Sequence, residues 1–208
     1  MPKIYDITRT VAPTLAVWPG DTPFSFEQML TLAEGDSVNL TTLTMIAHAG
    51  THMDAPWHTE PRLMHPADMP LEPFIGPALV VSVDREQGGI TPQDLGDVDL
   101  TGVTRVLLHT WYSTVPEDRF AQDFPYPTVA LIDWLAAQGV VLLGVDLPTI
   151  DPFDSETLDG HHCLFGHGMV NLENLALDSV PDGCYELVAL PLKLAGVCGS
   201  PVRAILRE

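Results

Sequence analysis

The chain is poor in positive charge. Nine Lys and Arg stand against 28 Asp and Glu among 208 residues, a formal charge of −19. Such a surface repels phosphate backbones and anionic headgroups, so no nucleic acid and no membrane is expected as a partner. Cysteine is scarce as well: Cys163, Cys184 and Cys198, an odd number with no CxxC pair. That excludes a disulfide framework or a cysteine-rich zinc site as the expectation, and the three read as buried free thiols. Long apolar runs are missing. The densest, Gly139 to Val145, is too short to cross a bilayer, and the first residues lack the apolar core of a signal peptide. A cytoplasmic protein is expected.

Hydrophobic residues are plentiful, at 46%, enough for a substantial core, and no repeat, low-complexity tract or linker divides the chain. Residues 1–208 therefore read as one domain. Strand candidates are Leu40 to Ile46, Ala78 to Val83, Val103 to His109, Val140 to Val145, Glu186 to Leu190 and Val202 to Leu206. Thr128 is placed to cap a helix over Val129 to Gln138 that Gly139 ends. Ser155 is placed to cap a second, which carries His161 and stops near Gly166. The pattern is mixed α and β without regular βαβ alternation.

Three of the eight histidines fall within eleven residues, in His48-Ala49-Gly50-Thr51-His52-Met53-Asp54-Ala55-Pro56-Trp57-His58. The three histidines and Asp54 all sit at even positions, so extended backbone turns them to one face. A helix would set Asp54 and His58 nearly opposite His48 and His52. A straight strand fails too. His48 to Asp54 would span roughly 20 Å at about 3.3 Å per residue, too far for one ion with bonds of about 2 Å. The backbone must bend, and Gly50 is the residue best able to permit it. The expectation is a strand ending near His48, then a tight loop that folds His52 and Asp54 back onto the same metal. Imidazole and carboxylate suit zinc, with manganese as the second choice.

The run fits HxGTHxDxPxH and resembles the cyclase-like metal-dependent hydrolase family. Flanking segments carry the likeness nearly end to end, and toward its aryl-formamide-hydrolysing members: Val17-Trp18-Pro19-Gly20-Asp21, Gly144-Val145-Asp146, Leu158-Asp159-Gly160-His161, Leu172-Glu173, Leu190-Pro191-Leu192-Lys193 and Ser200-Pro201-Val202-Arg203-Ala204. The resemblance implies a compact α/β domain of the swivelling β/β/α type, with a curved, mostly β core and outer helices. It implies two zinc ions, with His48, His52 and Asp54 on the first, His161 on the second, and Asp54 and Glu173 bridging. It implies His58 as the general acid/base, Trp18 as a wall of the substrate pocket, and a homodimer. Composition alone does not rank His161 above His162 or His167. His162 is then read as packing or outer support, and His65 and His109 as structural. Lys193 and Arg203 are read as members of structural ion pairs.

The activity implied is hydrolysis of N-formyl-L-kynurenine to L-kynurenine and formate, in tryptophan breakdown, by zinc-activated water with His58 moving the proton. Two alternatives stay open: a related cyclic-amide hydrolase of the isatin type, and a non-catalytic metal-binding protein.

Overall fold

Short strands dominate. The computed structural model describes residues 2–208 and among them holds thirteen strands: β1 Ile4–Asp6, β2 Ser25–Leu30, β3 Leu40–Thr44, β4 His52–Asp54, β5 Ile75–Ser82, β6 Gly88–Ile90, β7 Arg105–His109, β8 Pro125–Pro127, β9 Leu142–Val145, β10 Val170–Leu172, β11 Gly183–Val188, β12 Gly199–Pro201 and β13 Ile205–Arg207. Two α-helices accompany them, α1 Val129–Ala137 and α2 Asp159–Gly166. Seven strands form the main sheet in the order β1-β13-β11-β5-β7-β9-β10. The β5, β7, β9 and β10 side is parallel; β11, β13 and β1 join antiparallel. This is a mixed α/β fold with a curled half-barrel sheet, as the family resemblance implied.

The parallel strands are apolar on both faces because both faces are covered. Ala78, Val80, Leu107 and Leu142 point into one core with Met53, Leu172 and Leu187. Leu79, Val81, Val106, Leu108 and Leu143 point into the other, against Leu131, Ile132 and Leu135 of α1 and Leu164 of α2. Thr128 caps α1 through its hydroxyl, which accepts from Leu131 N at 3.2 Å, and Gly139 turns the chain at φ +84°.

Several expected elements change at their ends. The strand expected over Leu40 to Ile46 stops at Thr44, pairs among the described residues with β2 alone, and leaves all its residues exposed. The one expected over Val202 to Leu206 starts at Ile205, because Ala204 is tied to Thr8. Ser155 does not cap α2. Its hydroxyl accepts from Leu158 N at 3.0 Å, Leu158 takes a left-handed conformation at φ 49°, and the helix starts only at Asp159. The thiols are not buried: Cys163 and Cys198 are half-buried and Cys184 is exposed.

The functional run is seated by pairing at both of its edges. β4 pairs antiparallel with β12, setting Asp54 opposite Gly199 and His52 opposite Pro201. On its other side a bridge joins His52 to Glu173, just beyond β10, through hydrogen bonds of 3.2 and 2.9 Å. The motif therefore meets the main sheet at the carboxyl ends of its parallel strands, where open α/β sheets leave room for ligands.

Candidate metal centre and active-site cavity

Gly50 makes the bend. It sits at φ +66°, and a Cβ there would press on Val11 at 3.2 Å. The turn leaves His48 just outside β4, while His52 and Asp54, two apart on that strand, share one face. The loop expected around His52 and Asp54 is thus a short buried strand. Pro56–His58 then forms a single 3-10 turn that exposes His58. Glu173 follows β10, and His161 comes from the first turn of α2.

These side chains converge. His52 Nε2 lies 3.4 Å from both Asp54 Oδ1 and Glu173 Oε2. His161 Nε2 lies 3.1 Å from Asp54 Oδ2 and 3.4 Å from Glu173 Oε1. His48 Nδ1 lies 2.6 Å from Asp54 Oδ1. Atoms bound at about 2.0–2.1 Å to one tetrahedral ion stand about 3.3 Å apart, so this is the spacing of donors around cations. Each carboxylate turns one oxygen toward either group. Asp54 Oδ1 is fully buried, and among the described residues it faces the ring nitrogens of His48 and His52 without a donor aligned for a hydrogen bond, a place that a cation would satisfy. Two donor sets follow, His48–His52–Asp54 and Asp54–His161–Glu173, and both fit a divalent ion.

The charges agree. Burial pushes the imidazoles down, but the carboxylates outweigh it: His48 rises to about 10, His52 to about 9, and His161 well above its ordinary value. Burial pushes Asp54 up, and His52, His161 and His48 hold it well below the usual carboxylate range. The cluster demands positive charge, which protons or metal ions can supply.

Three supporting residues were not legible in sequence. Asp151 accepts from Gly160 N at 2.7 Å and His161 N at 3.1 Å, and its Oδ2 meets His161 Nδ1 at 2.5 Å. Asn171 donates to Asp54 Oδ2 at 2.6 Å and Glu173 Oε1 at 3.1 Å. Its place two residues before Glu173, on one face of an extended segment, is the signal that could have found it. Cys198 Sγ lies 3.0 Å from His48 Nε2. His48 and His58 beside it bring its thiol down to about 6.

A cavity of about 260 Å³ opens over the cluster. His58 lines it, its ring centroid 4.5 Å from His48 and 5.7 Å from His161. Trp18 lines it too, packed on Phe120 at 5.4 Å and Phe153 at 4.9 Å. Arg9 and Arg119 also border it, and among the described residues neither pairs with a carboxylate. Arg9 is only 7% exposed, and its guanidinium reaches just three carbonyls at 3.4–3.5 Å.

The remaining residues lie outside. His65 meets Val197 O at 3.1 Å and packs on Trp57. His109 ends β7, its Nδ1 without a partner among the described residues. His162 is exposed, not packed, because the turn of α2 that points His161 inward rotates it about 100° away. Arg203 pairs with Asp6, but Lys193 is exposed and forms no ion pair among the described residues.

The family model named Cyclase matches residues 5–152. The chain is 42% identical over 208 residues to the kynurenine formamidase of Maricaulis maris (strain MCS10), covering 100% of this chain and 99% of that one. It is 43% identical over 210 residues to that of Erythrobacter litoralis (strain HTCC2594), covering 99% and 94%. Among solved structures it is similar to a potential metal-dependent hydrolase with cyclase activity, at 28% identity and a TM-score of 0.84 over 100% and 98% of the two chains. An isatin hydrolase A from Labrenzia aggregata shares the fold at 24% identity, with a TM-score of 0.85 over 99% and 93%.

Proposed function

The chain belongs to the Cyclase family, and from that premise we propose that it hydrolyses N-formyl-L-kynurenine to L-kynurenine and formate. The single observation that supports this best is a buried, cation-demanding donor set at the floor of an aromatic-walled cavity, in a chain so similar to kynurenine formamidases. His48, His52 and Asp54 would hold one ion, His161 would hold a second, and Asp54 and Glu173 would serve both. Zinc is preferred, with manganese second, since the donors are imidazole and carboxylate. When bound, such ions supply Lewis acidity toward water and toward an amide carbonyl near neutral pH.

The protein's own groups do the rest. His58, exposed at the cavity edge, accepts the proton of the attacking water and returns it to the departing nitrogen. Trp18 and Phe120 offer rings against which an aryl group stacks. An aromatic amine leaves more readily than an alkyl amine, which suits this simple machinery. Arg9 and Arg119 offer positive charge to a substrate carboxylate. That favours formylkynurenine over a neutral cyclic amide of the isatin type. A spare histidine beside the donor set counts against mere metal storage.

The same reading makes the protein a cytoplasmic homodimer acting in the kynurenine route of tryptophan breakdown. The described cysteines are all free, and no helix among the described residues is long and apolar enough to cross a membrane. Hairpin β2–β3 exposes Phe26, Met29, Leu40 and Leu43, a surface that a second copy would cover. Light scattering reads the oligomer. Initial rates on N-formyl-L-kynurenine, formanilide and isatin, measured side by side, read the substrate. The expected order has formylkynurenine first; isatin first would replace this reading with its alternative.

A further inference from the structure

The three imidazoles around Asp54 face it differently. His52 and His161 turn Nε2 toward the carboxylates and keep Nδ1 for an outer partner, Gly50 O at 2.9 Å and Asp151 Oδ2 at 2.5 Å. His48 is reversed. Its Nδ1 faces Asp54 and its Nε2 faces Cys198 Sγ at 3.0 Å. A ring that binds a cation through one nitrogen carries its proton on the other, and needs an acceptor there to hold tautomer and angle. A carbonyl serves His52, a carboxylate serves His161, and among the described residues the sulfur alone stands in that place for His48.

The sulfur also sits beside His58: His48, His58 and Cys198 each offer an atom within 4.8 Å of the other two. Its position is fixed by the backbone. Cys198 O accepts from Ala55 N at 2.9 Å, and a Cβ on the next residue, Gly199, would strike Met53 O at 2.8 Å and His48 Cε1 at 2.9 Å. An ion held within this outer triangle would require His48 to give up both ring protons, so support of the ring is the simpler chemistry.

We propose that Cys198 is a positioning residue, accepting the Nε2–H of His48 and linking that ring to His58. This rests on the ligand role of His48 proposed above. The test compares the zinc-loaded protein with Cys198→Ala and Cys198→Asp. Competition with a chromophoric chelator reads zinc affinity without any substrate, and formylkynurenine assays read kcat and KM separately. Cys198→Ala is expected to weaken the more labile zinc by about 10–100-fold and to lower kcat while KM holds. Cys198→Asp, which returns an acceptor, is expected to restore both, and the metal-free proteins are expected to melt alike. Unchanged zinc affinity in Cys198→Ala overturns the proposal, as does a loss that Asp leaves unrepaired. A sulfur-to-metal charge-transfer band in cobalt-loaded wild type also overturns it, by making Cys198 a ligand. Failure of wild type to cleave formylkynurenine would instead count against the substrate reading, and the zinc competition would stand apart from it.

Discussion

Two clusters in this molecule share the same three residue types. At the surface, between the two helices, Asp133 meets His167 at 2.7 Å and Cys163 at 3.3 Å. At the cavity, Asp54 meets His48 at 2.6 Å and His48 meets Cys198 at 3.0 Å. The order differs. Cys163 touches a carboxylate, and burial with Asp133 pushes its thiol up to about 11. Cys198 touches imidazoles, which bring it down to about 6. The surroundings differ more. His167 and Asp133 are 41% and 56% exposed, whereas Asp54 is buried, with two further imidazoles, His52 and His161, and a second carboxylate, Glu173, closing around it. Residue types alone do not make a metal centre. Desolvated donors that water cannot satisfy, and that lack enough hydrogen bonds among themselves, do.

The buried cluster depends most on Asp54. Asp54→Ala should empty or cripple both ion positions and lower turnover by more than about 10³-fold. Two retained zinc ions in that variant, by elemental analysis, would remove Asp54 as a bridge. His58→Ala should keep its metal and lose about 10²- to 10⁴-fold in kcat; loss of zinc instead would make His58 a ligand. A third effect concerns the metal-free protein. His48 and His52, raised to about 10 and 9, stabilise the fold fully below the ordinary histidine value near 6.5, and that contribution fades as pH climbs through 9 to 10. Metal-free protein should therefore melt lower at pH 10 than at pH 7. Zinc binding should strengthen over the same rise, since it no longer competes with protons. A flat melting profile would contradict the charged cluster. Arg119→Met should raise KM for formylkynurenine about tenfold and leave formanilide unaffected. Smallest of all, Asp133→Ala should leave turnover and melting near wild type, and a large loss there would erase the contrast between the clusters.

Much of the site could be read in the sequence because its chemistry is local. His48, His52, Asp54 and His58 lie within one run, and the impossibility of one ion spanning it unbent pointed straight to Gly50. His161 and Glu173 needed the family resemblance, since nothing in spacing ranks His161 above its neighbour. Asp151 escaped because it reaches His161 across a loop, and Cys198 because a lone cysteine reads as a packed thiol until β12 lays it against β4. The fold divides in the same way. Helix α1 carries its own cap and stop, at Thr128 and Gly139, and was legible. Strands β4, β10 and β12 are three residues long, below any window of periodicity, and exist because their neighbours pair with them.

If ions held by the Asp54 cluster let this chain cleave a formyl amide, turnover and metal content must rise and fall together. Formylkynurenine turnover should be measured in the native, chelator-stripped and zinc-reloaded protein with metal content followed in parallel. Turnover should fall to background on stripping and return with about two zinc ions per chain. Full turnover in metal-free protein would contradict the account.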